Sequence, residues 1–230
     1  MDFFDVVSTT RAIRRYRPDP IPESDLAQMF FAASRAPSGS NRQPFRFVVL
    51  RDGPRAAEAR TLLGEAFRSM WAAMRTGYGY DQGSGTEQSS PKSRMAAAME
   101  HFVDHVDEAP VIVLVCMWHW HDGHFTEGAS VYPACQNLLL AARELGYGGV
   151  MTVWHRPVEK RLGEILGIPD GVDIAATIPL GRPVGNHGPV RRRPLEEIVY
   201  EDAWDKPAPW AVDPPGTAYA GGPPRSEVGR

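Results

Sequence analysis

Only two cysteines occur in the sequence, Cys116 and Cys135, and both are embedded in apolar segments. That pattern argues against a disulfide framework and fits small buried hydrophobes in a reducing compartment. No apolar run approaches the roughly 18 residues of a bilayer-crossing helix. The start, Met1-Asp2-Phe3-Phe4-Asp5, carries acid where a secretory signal carries Lys or Arg. The expectation is a cytoplasmic chain, neither exported nor anchored. A positive charge excess is missing too: 25 Lys and Arg face 28 Asp and Glu, a formal net charge of −3. No overall field gathers nucleic acid or an anionic membrane, so any anion site has to be local.

Several catalytic signatures are also absent. Without a Gly-x-Ser-x-Gly elbow or a Walker lysine, hydrolase and nucleotidase readings fall away. Gly146-Tyr147-Gly148-Gly149 follows a helical pattern rather than a strand and lacks the spacing of a dinucleotide fingerprint. His101 and His105 lie one helical turn apart without the Glu of a zinc-protease helix and read as surface residues. Trp118-His119-Trp120-His121-Asp122-Gly123-His124 fits no zinc spacing, so no metal is expected and those aromatics are assigned to a substrate pocket.

What is present is an ordinary globular composition, 43% hydrophobic and 23% charged over 230 residues, enough for one domain with a sizeable core. The domain is expected over residues 1–202, followed by a Pro/Gly-rich tail, 203–230, disordered or laid across a partner. Periodicity predicts helices over 2–10, from Pro22 to about 36, over 55–75, 95–106 and 128–145, and from Pro157 to Gly167. Strands are predicted at 45–50, 110–118 and 173–180. The second of these is apolar throughout and should be central and buried on both faces. Residues 77–93 are too polar for an ordinary connection and read as a mobile loop.

Three segments offer donors to an anion or to polar ring edges. Arg11-Ala12-Ile13-Arg14-Arg15 carries guanidinium forks suited to phosphate oxygens. Pro37-Ser38-Gly39-Ser40-Asn41-Arg42-Gln43-Pro44 ends a helix with hydroxyls, an amide and backbone N–H groups beside a glycine. Arg191-Arg192-Arg193 is, taken alone, a charge run.

In order along the chain, Arg-x-x-Arg-x-aromatic at 11–16, Ala-Pro-Ser-Gly-x-Asn-x-Gln-Pro at 36–44, Gln-Asn-Leu-Leu-Leu-Ala-Ala at 136–142 and Arg-x-Pro-Leu-Glu-Glu at 192–197 resemble the nitroreductase family over roughly residues 5–200. The resemblance implies an α+β fold, a three-layer sandwich whose central mixed, mostly antiparallel sheet is flanked by helices. It also implies an intertwined homodimer with FMN at the interface and NAD(P)H as co-substrate.

By position, Arg11 would meet the FMN phosphate and Arg14 the N1 and C2-carbonyl edge, where negative charge collects on reduction. Pro37, Ser38, Gly39, Ser40 and Asn41 would come from the partner subunit. Val150, Met151 and Thr152 would face N5, with a backbone N–H of Met151 or Thr152 donating to it. Arg192 would be the second phosphate ligand. The family often has Arg or His and then Ser around the matched Arg11; here Thr10 and Ala12 stand there, so a contact falls to Arg15 or Arg193 or is lost. The implied activity is ping-pong hydride transfer from NAD(P)H to a nitroarene, quinone or enone, in a pocket shaped by 70–93 and 117–127. A non-catalytic flavin-binding protein, a deazaflavin user and a dehydrogenase remain the alternatives.

Overall fold

The structure is a computed structural model and describes residues 1–119 and 125–214. Four strands form one sheet in the order β1 (Phe45–Leu50), β2 (Val111–Trp118), β4 (Val172–Gly181) and β3 (Gly148–Gly149). Every pairing among the described residues is antiparallel, with Val48 opposite Leu114 and Val113 opposite Ile178. Among the described residues the α-helices are α1 (Phe3–Thr9), α2 (Glu23–Ser34), α3 (Pro54–Gly77), α4 (Pro91–His105), α5 (Tyr132–Glu144) and α6 (Glu159–Leu166).

The period-2 geometry of β2 sorts its apolar run into two cores. Val111, Val113 and Val115 point to α2 and α5, where they meet Met29, Ala33, Leu138 and Ala142. Ile112, Leu114 and Cys116 point to α3, α4 and α6, against Leu63, Phe67, Phe102 and Leu162. Each of these six strand residues is at most 2% exposed, so β2 is the central strand of a helix–sheet–helix sandwich. A bulge between Val115 and Cys116 turns Ile174 of β4 toward the second core.

On α3, Ala59, Leu63, Phe67 and Trp71 recur every fourth residue and face the sheet. The same helix carries Arg60, whose guanidinium donates to the carbonyls of Leu50, Asp107, Ala109 and Pro110 at 2.6–3.2 Å. One cation thus closes chain ends that the sheet ladder leaves open. Both cysteines are buried and free; burial pushes Cys116 up to about 11 and Cys135 to about 12, so neither is a thiolate at neutral pH.

The elements differ from the sequence expectation at some ends. The polar stretch 77–93 contains a 3-10 turn, Gly83–Thr86, and α4 starts at Pro91, because the Ser90 hydroxyl accepts from Ser93 N and Pro91 occupies the first turn. α5 starts at Tyr132 rather than 128: Pro133 tolerates only the first turn, and Phe125–Ser130 is 3-10 instead. Residues 203–214 fold back, with Ala208 N donating to Val199 O at 3.1 Å and Glu201 N to Lys206 O at 2.9 Å. No helix of the described residues is long and apolar enough to cross a membrane.

Candidate cofactor site

The segment after α1 lies along the short strand β3: Ile13 N donates to Gly149 O at 2.9 Å and Arg17 N to Arg182 O at 2.8 Å. Tyr16 pins it, its hydroxyl donating toward Ile13 O at 2.5 Å and Pro179 O at 3.2 Å, and burial raises its pKa far above the usual phenol. With Ile13 buried, Arg14 is turned into a cavity of about 400 Å³. Its walls are Met99 and Phe102 of α4, Tyr132 of α5, and the run Val150–Trp154. Arg14 makes no hydrogen bond or ion pair among the described residues, and burial lowers its pKa, opposed by Tyr16 and aided by the nearby Arg11 charge. A guanidinium remains protonated regardless, so the cavity holds one uncompensated cation against apolar and aromatic faces.

The opposite wall is fixed by close backbone approach. A Cβ on Gly149 would stand 2.6 Å from Pro179 O, so only glycine lets β3 pack here. Three residues on, Thr152 N donates to Thr177 O at 2.9 Å and Thr177 N to Thr152 O at 2.8 Å. The Thr152 N–H is therefore committed to the sheet, which removes it as a donor into the cavity. The Met151 N–H makes no hydrogen bond among the described residues, and Met151 and Val153 are both 44% exposed.

Behind that wall sit two fully buried polar side chains that the sequence reading missed. His155 Nε2 lies 2.6 Å from Ile174 O and must donate to it, and Thr177 Oγ1 lies 2.9 Å from Nδ1. Burial lowers the His155 pKa, leaving the ring neutral with its proton on Nε2. A histidine just past a cavity-lining run and before Pro157 was the available signal.

The Pro37–Asn41 loop is built as a tight, strained bend. Ser40, Asn41 and Gln43 have φ of 52°, 52° and 50°, uncommon for non-glycine residues. Ser38 Oγ accepts from Gln43 N at 2.9 Å and Gly39 N donates to Ser130 Oγ at 3.1 Å. Within one chain this loop does not line the Arg14 cavity. Gly39 and Ser40 border a separate cleft of about 170 Å³ with Met117, Trp118 and Glu127. Beside it, His119 is held between Glu127 at 2.6 Å and Asp173 at 2.8 Å; burial opposes its charge, but the two carboxylates prevail and raise its pKa.

Arg11 and Ala12 are exposed, and the segments expected to meet at a phosphate do run side by side: Val190 N donates to Ser8 O at 2.9 Å, and a Cβ on Gly188 would lie 3.8 Å from the Arg11 guanidinium. Arg192 is exposed and donates to Arg191 O, whereas Arg193 faces Glu197 at 3.7 Å. The pocket-shaping segments expected at 70–93 are not among the residues lining the Arg14 cavity; α4 and Tyr132 take that place. Residues 120–124, expected near a substrate pocket, lie outside the described residues, and no group of three metal-ligating side chains occurs among the described ones.

Comparison with known proteins gives a consistent relationship. The chain is 31% identical over 205 residues to an NADH dehydrogenase of Thermus thermophilus, covering 82% of this chain and 90% of that protein. It is 26% identical over 209 residues to iodotyrosine deiodinase 1 of Rattus norvegicus, covering 86% and 68%. Among solved structures, a nitroreductase-type protein of Desulfovibrio desulfuricans in complex with FMN superposes with a TM-score of 0.62 at 26% identity, covering 87% of this chain and 96% of that one. The profile of the family described as Nitroreductase matches residues 7–182, and the chain belongs to the nitroreductase family.

Proposed function

We propose that the protein is an FMN-dependent oxidoreductase that takes hydride from NAD(P)H and delivers it to an electron-poor acceptor such as a nitroarene, quinone or enone. The observation that carries this reading is the unpartnered Arg14 guanidinium in a cavity otherwise walled by Met99, Phe102, Tyr132 and Val150–Trp154. A volume of about 400 Å³ lies in the range of small-molecule sites. Apolar faces suit a flat ring system, and one cation suits the carbonyl edge of such a ring, so the donor set fits a flavin. The 26% identical relative solved with FMN supports the same choice.

FMN, when bound, supplies the two-electron chemistry, accepting hydride from the nicotinamide and passing it on. The residues of this chain bind and orient. Arg14 holds a fixed positive charge where electron density accumulates, in surroundings partly shielded from water, where a preorganised charge acts most strongly. Met151 offers the uncommitted backbone N–H of the wall. Arg11, with Arg192 or Arg193 from the adjoining segment, is the phosphate clamp. Val150, Met151 and Thr152 form the ring-facing edge.

The working unit in this reading is a homodimer, in which Pro37, Ser38, Gly39, Ser40 and Asn41 of one chain complete the cavity of the other. Large exposed apolar side chains support an unfilled interface: Phe3 at 65%, Phe4 at 74%, Phe31 at 66% and Trp204 at 85%. The test is anaerobic mixing of FMN-loaded protein with NADH or NADPH, followed by a panel of acceptors. Bleaching of the flavin by a nicotinamide and its recovery with an acceptor is the expected result. Flavin that binds but is never bleached would instead mark a non-catalytic flavin-binding protein, and protein that stays colourless with excess FMN would end the reading.

A further inference from the structure

Two polar side chains in the interior serve no role in the reading above, and they lie directly behind the wall that faces Arg14. His155 and Thr177 are each 0% exposed. Buried polar groups are retained at a cost unless fully hydrogen-bonded, and these are. The connection runs in one direction: Ile174 O accepts from His155 Nε2, His155 Nδ1 accepts from the Thr177 hydroxyl, and the Thr177 backbone makes both bonds of the bridge to Thr152. At its far end Ile174 N donates to Glu159 Oε1 at 2.6 Å, so α6 anchors the same strand segment.

We propose that His155 is a positioning residue for the Val150–Trp154 wall: through Thr177 it fixes the Thr152 bridge and thereby the direction in which the preceding Met151 N–H is presented to the cavity. The bridge at Thr152 is isolated, since β3 ends at Gly149, so among the described residues only two backbone hydrogen bonds tie Thr152 to β4. The imidazole clamps β4 at two points, Ile174 and Thr177, which lie on either side of the bulge. The neutral ring suits this best, because a protonated Nδ1 becomes a donor, reverses the Thr177 contact and leaves the buried Thr177 hydroxyl hydrogen without its acceptor. The charged groups acting on the ring are Glu159 of α6 and Arg156, its neighbour in sequence. The flavin consequence rests on the proposed function; the positioning itself does not.

Three variants separate the possibilities. His155→Gln keeps an acceptor and a donor at similar separation but cannot titrate, His155→Leu removes both, and Thr177→Val removes the hydroxyl alone while keeping shape. Hydrogen exchange of the apoprotein is expected to rise roughly three- to tenfold at residues 150–155 in Thr177→Val, the effect of one neutral hydrogen bond, with α2 and α5 unchanged. FMN affinity should fall by a similar factor in Thr177→Val and further in His155→Leu, and stay near the parent in His155→Gln. Because burial holds the His155 pKa below the ordinary histidine value, the parent should also release FMN only at pH below that range, whereas His155→Gln should not. Unchanged exchange at 150–155 in Thr177→Val overturns the proposal, even if His155→Leu fails to fold. If the parent binds no FMN, the flavin reading falls and the exchange experiment alone decides the positioning claim.

Discussion

Replacing Arg14 by Gln should move ligand affinity and stability independently. In the apoprotein the guanidinium is partly desolvated, has no hydrogen bond or ion pair among the described residues, and lies in the field of Arg11. Removing such a charge takes away a penalty rather than a contact, so the melting temperature of the apoprotein should stay level or rise slightly. FMN affinity should drop by the value of a charge-assisted hydrogen bond, about 1.5–3 kcal/mol, or roughly 10- to 150-fold. The assay is a fluorescence titration of FMN into the apoprotein, run beside thermal melts of both apoproteins. A melting temperature that falls while affinity holds would refute the reasoning, because Arg14 would then be a structural residue with a partner not recognised in the cavity geometry.

Other perturbations test the frame that holds this site. Gly149→Ala places a Cβ 2.6 Å from Pro179 O, a backbone atom that cannot swing aside; urea denaturation should show a loss of about 1–3 kcal/mol or more. Arg60→Met leaves four carbonyls without their cation, and chemical denaturation should report a loss of roughly 2–4 kcal/mol. His119, with its pKa raised by Glu127 and Asp173, stabilises most below its unfolded value of 6.5, and that contribution is lost as pH rises through the raised folded value. The parent minus His119→Gln stability difference, measured across that range, should therefore shrink toward alkaline pH.

Much of the fold was legible because β2 announces itself: a short apolar run rich in β-branched residues reads as a strand buried on both faces, and the helices around it carry regular apolar stripes. Ends were less legible where a single cap outweighs composition, as with Ser90-Pro91 opening a helix inside a polar stretch. The two-residue strand β3 has no periodicity to read; it exists because Gly148 and Gly149 let backbones approach. The arginines were visible as donors, yet their directions were not, since only packing of Ile13 and Tyr16 decides that Arg14 faces the cavity. The commitment of the Thr152 N–H, and the buried His155–Thr177 pair behind it, depend on contacts across more than twenty positions of sequence, and no local pattern encodes them.

The central claim is that one chain's Arg14 cavity is completed by the other chain's Pro37–Asn41 loop. Subunit mixing tests it directly, using Arg14→Gln and Gly39→Trp, the latter at a site where a Cβ meets only Ser130 Oγ at 3.7 Å. Each homodimer should bind FMN poorly. If the site is composite, the mixed dimer combines one chain's native cavity with the other's native loop, and one full-affinity site per dimer should reappear. Mixed dimers that regain no such site would mean that Arg14 and the loop act within a single chain, contradicting the account.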